Sequence, residues 1–98
     1  MRGREIRRVL DEGRPSHGNR VVVFLAAGQG RSAVIAGKKV GKAVQRNRAR
    51  RVLRAAWTQV SAIVPESDAV LVARAGILGA KTQDLVSEMS ELLGGSAR

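Results

Sequence analysis

Apolar positions recur with two different periods along this 98-residue chain, and the changes of period mark its elements. Ile6, Val9 and Leu10 share one edge of a helix over about residues 3 to 12, ringed by Arg2, Arg4, Arg7 and Arg8. Gly13 is placed to end that helix in a left-handed cap. Arg14 to Asn19, with Pro15 and Gly18 as breakers, has the composition of a turn. Arg20 to Ala27 reads as a strand through the apolar run Val21-Val22-Val23-Phe24-Leu25. Gly28-Gln29-Gly30 then predicts a hairpin turn, with Ser32 to Ala36 as the returning strand.

A helical period resumes before Ala49 and carries to about Ala62. At about 100° per residue, Ala49, Val52, Leu53, Ala56, Trp57 and Val60 fall on one face and Asn47, Arg48, Arg50, Arg51 and Arg54 on the other. Pro65 and Ser67 mark a turn, Asp68 to Ala75 a further strand, and Gly76 and Gly79 a loop. Thr82 is positioned to cap a last helix with Asp84 in its first turn. Leu85, Val86, Met89, Leu92 and Leu93 form its packing face before Gly94-Gly95 stops it, with Met89 as core filler. The succession predicts an α+β fold, a single domain over residues 1–98 with about four strands in one sheet and three helices packed on it. A right-handed crossover around the middle helix is the physical default.

Charge sharpens this picture. The formal net charge is +10, from 18 basic and 8 acidic residues, and no Asp or Glu stands between Glu12 and Glu66. Such a balance implies a polyanionic partner, and nucleic acid fits better than a membrane because no segment is both strongly apolar and Lys-edged. Within Ala36 to Arg54 the cations Lys38, Lys39, Lys42, Arg46, Arg48, Arg50, Arg51 and Arg54 stand without one acid. A solvated helix face usually mixes both signs; this one has a single sign and is dominated by Arg, whose planar fork grips phosphate oxygens in pairs. Gly37 and Gly41 flank the lysines and would let backbone approach a sugar-phosphate chain closely. The absence of cysteine suits a reducing compartment, and with no membrane-spanning run and no signal peptide the expected location is cytoplasmic.

No catalytic constellation accompanies the charge. Phosphodiester hydrolysis needs metal-holding carboxylates or an acid/base pair, and the acids lie in the first helix, at the Pro65 turn and in the last helix, away from the basic stretch. His17, the only histidine, sits in a predicted loop with no Cys or acidic cluster near it. The chain by itself reads as a binder, with neither catalytic nor metal-ligating residues of its own.

The run Gly37-Lys38-Lys39-Val40-Gly41-Lys42-Ala43-Val44-Gln45-Arg46-Asn47-Arg48 resembles, without a gap, the signature of the bacterial ribonuclease P protein component. The resemblance extends to Glu5 through Gly13, similar to an Asp-Phe-x-x-Val-x-x-x-Gly segment, and to Asp68, Ala73 and Arg74 around the last strand. It departs at Ile6, where the family has an aromatic, and at Gly37, where relatives usually have Ser, a change expected to alter the loop before the lysines. The chain also begins close to its first helix, where relatives carry a longer basic lead-in, so the expectation is either a reduced site or a start upstream.

The resemblance implies an α+β fold with a left-handed βαβ crossover. It implies a subunit of an endoribonuclease that removes the 5′ leader of precursor tRNA, with Mg²⁺ and the chemistry held mainly by the RNA subunit and no cofactor in the protein. The implied partners are that RNA subunit and precursor tRNA, with no membrane and no small-molecule substrate. Lys38, Lys39, Lys42, Arg46, Asn47, Arg48, Arg50, Arg51 and Arg54 would contact the RNA subunit, and Ile6 and Phe24, with Arg20 assisting, would hold the leader. Phe24 also has a plain core-packing reading. An aliphatic Ile6 can pack on a base but cannot stack as a ring does. The alternative is a general RNA-binding protein of ribosomal or chaperone type. A DNA-binding architectural protein fits less well, since apart from Gln45 and Asn47 the basic helix offers mainly phosphate grips.

Overall fold

The computed structural model describes residues 1–94. Its elements are α1 (Gly3–Glu12), β1 (Arg14–His17), β2 (Val21–Ala27), β3 (Ser32–Ile35), α2 (Ala43–Val60), β4 (Ser67–Ala73) and α3 (Thr82–Gly94). Short 3-10 turns lie at Lys38–Val40, Ser61–Ile63 and Ala75–Ile77. The strands form one mixed sheet in the order β1-β2-β4-β3. β2 is antiparallel to both β1 and β4, while β3 runs parallel to β4 and is joined to it through α2.

Alternation along the strands divides the sheet into two faces. Val21 and Val23 of β2 and Ala69, Leu71 and Ala73 of β4 point into a core shared with Ala49, Leu53, Ala56, Trp57 and Val60 of α2 and Leu85, Met89 and Leu93 of α3. Val52, Val86 and Leu92 pack at its margin, so the helical faces expected from the period are those that pack. Burying each Leu contributes about 1.5–3 kcal/mol, and this core holds α2 in place with its other face turned to solvent. The opposite sheet face carries Val22, Phe24 and Ala26 of β2, Val70 and Val72 of β4, and Ala33 and Ile35 of β3. Helix α1 lies on that side, with Val9 fully buried and Arg8 bonded to β4 and to the Ala27 carbonyl.

Two predicted turns differ from the structure. Arg14 to His17 is an edge strand, its Pro15 opposite Phe24, and the turn is confined to the residues after it, closed by the Gly18 N–H donating to the Val21 carbonyl at 2.9 Å. An edge strand tolerates proline because its outer side needs no ladder donor. The Gly28 to Arg31 loop is not a hairpin, because β4 lies between β2 and β3. What carries the chain across is Asp68, the one buried charged residue among those described. Its Oδ1 accepts the backbone N–H of Gln29 and Arg31 at 3.0 and 3.1 Å, and its Oδ2 accepts Arg8 and Arg31 guanidinium donors at 2.7 and 3.0 Å. Gly28 leaves the room for this carboxylate, since a Cβ there would stand 2.2 Å from its carbon.

Helix ends show smaller departures. Gly13 closes α1 with φ −75° and ψ 161°, an extended and not a left-handed conformation. Its lack of a side chain serves close approach, because a Cβ would lie 2.4 Å from the Val9 carbonyl oxygen and 2.9 Å from that of Leu25. Thr82 is the first residue of α3 and not its cap; the Lys81 N–H donates to the Asp84 carboxylate at 2.9 Å just ahead of it. Of the predicted Gly94-Gly95 stop, Gly94 is the last described helical residue and Gly95 lies outside the described residues.

The Asp68 carboxyl is lowered from 3.8 to about 2. Burial alone would raise it, and this is outweighed by the Arg31 side-chain hydrogen bond, the Gln29 and Arg31 backbone donors and the Arg31 charge. A folded-state value below the unfolded one means that the ionised form stabilises the fold. That contribution is complete above about pH 4 and is lost as pH falls toward about 2. Denaturant titrations should therefore show stability falling through that window in the native chain, with the acid limb flattened in Asp68→Asn. Asp68→Ala should lower stability by about 2–4 kcal/mol at neutral pH, since it removes the acceptor of two backbone donors and two guanidinium groups.

Candidate nucleic-acid interface

Lys38 and Lys39 lie in the 3-10 turn that follows β3, and both are exposed. Val40, the third residue of that turn, is 1% exposed and anchors it to the core, so the lysines are held outward on a fixed support. Gly41 then adopts φ +139°, a conformation L side chains rarely reach, and a Cβ there would lie 2.1 Å from the Gln45 side-chain oxygen. That clearance lets Gln45 Oε1 accept the Lys42 N–H at 2.8 Å, closing the start of α2. Gly37 is different: its φ of −86° and ψ of −178° are open to any residue, and nothing lies within 4 Å of a Cβ there. A serine would fit, so Gly37 does not alter the loop before the lysines.

Along α2 the basic residues separate by angle. Asn47, Arg51 and Arg54 are exposed and turn away from the core, and Asn47 Oδ1 accepts an Arg50 donor at 2.6 Å. Arg48 is half-buried, and its Nη2 donates to the Ala80 carbonyl at 3.0 Å. Arg46 stands three residues before Ala49 and seven before Leu53, on the flank of the packing face; it is half-buried, and its Nε is buried without a hydrogen-bond partner among the described residues. Arg46 and Arg48 are thus partly built into the fold, whereas Lys38, Lys39, Lys42, Arg51 and Arg54 are presented to solvent.

Every ion pair among the described residues lies outside this stretch. Arg8 pairs with Asp68 and Glu12, Arg20 with Glu88 at 3.0 Å, and Arg31 with Asp68 and Glu5. Among the described residues, no basic side chain from Lys38 to Arg54 pairs with a carboxylate. Glu5, Glu12, Asp68 and Glu88 are engaged elsewhere on the framework, and the stretch itself forms a cationic ridge of one sign along one helix. Its field favours a polyanion with regularly spaced charges.

Ile6 and Phe24 lie on the other side of the sheet, both half-buried. Ile6 lines a shallow groove with Gly3, Arg7, Leu10 and Asp11, while Phe24 stands between Pro15 and Val70 in the register. Arg20 is not brought to them: both its backbone N–H and its guanidinium donate to Glu88 of α3. His17 is exposed beside α3, and among the described residues no group of three or more His, Cys, Asp or Glu is placed to hold a metal ion. No helix among them is long and apolar enough to cross a membrane.

Sequence reasoning missed two features. Arg8, read only as part of the basic rim of the first helix, and Arg31, given no role, bind Asp68 together, and only the topology brings them close. Val44 and Leu78 are large apolar side chains exposed by 80% and 47%. The helical projection already places Val44 among the cations, a signal that its apolar character hid.

Fold and ridge together define a polyanion-binding α+β protein. A model of the ribonuclease P family matches residues 1–96. The ribonuclease P protein component of Coprothermobacter proteolyticus is 36% identical over 86 residues, covering 87% of this chain and 72% of that protein. That of Nitratiruptor sp. is 46% identical over 63 residues, covering 64% of this chain, and the match spans only 58% of that protein's length. Among solved structures, the Staphylococcus aureus RNase P protein superposes with a TM-score of 0.81 at 19% identity, covering 98% of this chain and 92% of that one. The Thermotoga maritima protein gives 0.79 at 20%, covering 95% and 93%; at such identities these two show the fold. The chain belongs to the ribonuclease P protein family, the protein component of a tRNA-maturing endoribonuclease.

Replacing both Arg51 and Arg54 by alanine should leave stability within about 0.5 kcal/mol of the native chain per site, because neither side chain packs. Each replacement should reduce the slope of log affinity against log salt for RNA by about 0.7 to 0.9. Fluorescence anisotropy across a salt series reads both the affinity and the slope.

Proposed function

We propose that this chain is the protein subunit of ribonuclease P, binding the catalytic RNA subunit through the ridge on α2 and the turn before it, and the 5′ leader of precursor tRNA across the sheet face beneath α1. The observation that carries the reading is the set of cations from Lys38 to Arg54, none paired with a carboxylate among the described residues. Lys38, Lys39, Lys42, Arg50, Arg51 and Arg54, with Asn47, grip phosphates of the RNA subunit, and Arg46 and Arg48 support them from the flank. Ile6 and Phe24 hold the leader; Arg20 is held by Glu88 of α3, away from that surface, and takes no part. Mg²⁺ and the bond-breaking step belong to the RNA, and the protein contributes binding and screening of phosphate repulsion.

Two faces on one sheet suit this division of labour. The ridge is purely cationic and reads backbone, whereas the α1 side offers apolar surface on which unpaired bases can pack. With about six phosphates neutralised, log affinity should fall against log salt with a slope of about −4 to −5.

The decisive assay is cleavage of a labelled precursor tRNA by a bacterial ribonuclease P RNA at low Mg²⁺, with and without this protein. Accurate 5′ cleavage restored by the protein is the expected result. RNA binding without rescue would reduce the chain to a general RNA binder. Phe24→Ala should weaken binding of leader-bearing substrate by about 1–3 kcal/mol and leave mature tRNA binding unchanged. Loss of fold in that variant, seen by circular dichroism, would return Phe24 to the core-packing role.

A further inference from the structure

Between α2 and the loop leading to α3 runs a groove of about 380 Å³, lined by Gln45, Arg48, Ala49, Ile77, Leu78 and Gly79. Its floor is apolar and rigid, because Ala49 and Ile77 are buried members of the core. One wall is Leu78, which remains 47% exposed and for which folding supplies no cover. The other wall carries hydrogen-bond donors whose orientation is fixed. Gln45 Oε1 accepts the Lys42 N–H, so the amide nitrogen of Gln45 is the end left to donate. Arg48 is held by the Ala80 carbonyl through Nη2, leaving its remaining N–H groups for another acceptor.

We propose that this groove receives one unpaired nucleobase of the RNA bound along α2, with a base that presents acceptors, such as guanine, preferred. The inference rests on the RNA-binding reading above and adds a site to it. The occupant follows from continuity and charge. The groove opens beside the cationic ridge, its lining includes no carboxylate, and Val44, 80% exposed, stands one helical turn before Arg48 on the same edge. By contrast, the larger groove between the β1–β2 turn and α3 is lined by Asp84, Glu88 and Glu91 and repels a polyanion. A phosphate needs no apolar floor, and an aliphatic peptide needs no fixed donors; a base is flat, apolar on its faces and polar at its edge. Guanine offers O6 and N7 as adjacent acceptors, the pattern that paired donors from an Arg and an amide match. Bases in a duplex cannot enter, so the groove discriminates RNA by unpaired nucleotides and not by charge.

The test uses the full chain and two RNA hairpins identical except for one bulged guanosine, titrated by fluorescence anisotropy over a salt series. The native chain should prefer the bulged hairpin by about tenfold, with the same salt slope for both, because the added contact releases no counterion. Leu78→Ser should remove the preference and keep the slope, and replacing the bulged guanosine by uridine should reduce it. Leu78→Ser alters a half-exposed side chain, and a thermal melt checks that it folds; if it does not, Gln45→Ala asks the same question from the opposite wall. Equal affinity of the native chain for both hairpins, with strong salt dependence, overturns the groove and leaves the ridge standing. Failure to bind either hairpin or ribonuclease P RNA overturns the ridge as well.

Discussion

A single buried carboxylate decides how this sheet is connected. Asp68 is the second residue of β4, one of the two inner strands, and its four hydrogen bonds reach α1, the loop after β2 and the first residue before β3. Without an acceptor at that point, the backbone donors of Gln29 and Arg31 would be left unsatisfied against a buried strand, a cost of about 1–3 kcal/mol each. With it, the loop is drawn over the start of β4 and β3 emerges on the far edge. The register of three strands and the seat of α1 therefore share one anchor. Two half-exposed arginines make burial of the charge tolerable, since each keeps part of its guanidinium in water while neutralising the carboxylate.

The same anchor explains the distribution of charge. Carboxylates of Glu5, Glu12, Asp68 and Glu88 are matched with Arg8, Arg20 and Arg31, which removes both partners from long-range recognition. Along α2 and the turn before it the cations stay unmatched and close together, whereas the other unpaired ones among the described residues, Arg2, Arg4, Arg7, Arg14, Arg74 and Lys81, are dispersed over the rest of the chain. Segregation of this kind leaves the binding helix free of internal competitors: an arginine already forked onto a carboxylate would have to break that pair before gripping a phosphate. The packing face, with Leu53 fully buried and Trp57 at 7% exposure, fixes the ridge as a rigid body, so the cations keep their spacing.

Local periodicity made the helices legible. The alternation of Ala49, Leu53, Ala56, Trp57 and Val60 with Arg51 and Arg54 leaves one orientation for α2, and Leu85, Met89 and Leu93 do the same for α3. β2, β3 and β4 were legible as strands, but not their partners, and β1 was not legible at all. Gly28-Gln29-Gly30 has hairpin composition, and nothing local distinguishes a turn that returns beside β2 from one that crosses a strand formed thirty-odd residues later. Pro15 likewise carries a turn signal that an edge position overrides. At the site, the basic stretch was plain from charge alone. The graded burial of Arg46 and Arg48, the capture of Arg20 by Glu88 and the groove under Leu78 depend on contacts distant in sequence, which no spacing along the chain encodes.

The strand order also constrains how the molecule comes to be folded. β4 sits between β2 and β3 but follows both in the chain, so before Ala73 has been synthesised neither earlier strand has its central neighbour. Residues 1–66 then amount to a highly cationic segment with a β1–β2 pair and no completed sheet, and an isolated strand pair of that size is marginal in water. Closure requires contacts across long loops, which makes the transition slow relative to helix formation and places it late in synthesis. For a nascent chain, that interval is one in which its lysines and arginines are already exposed to cellular polyanions while the scaffold that spaces them does not yet exist.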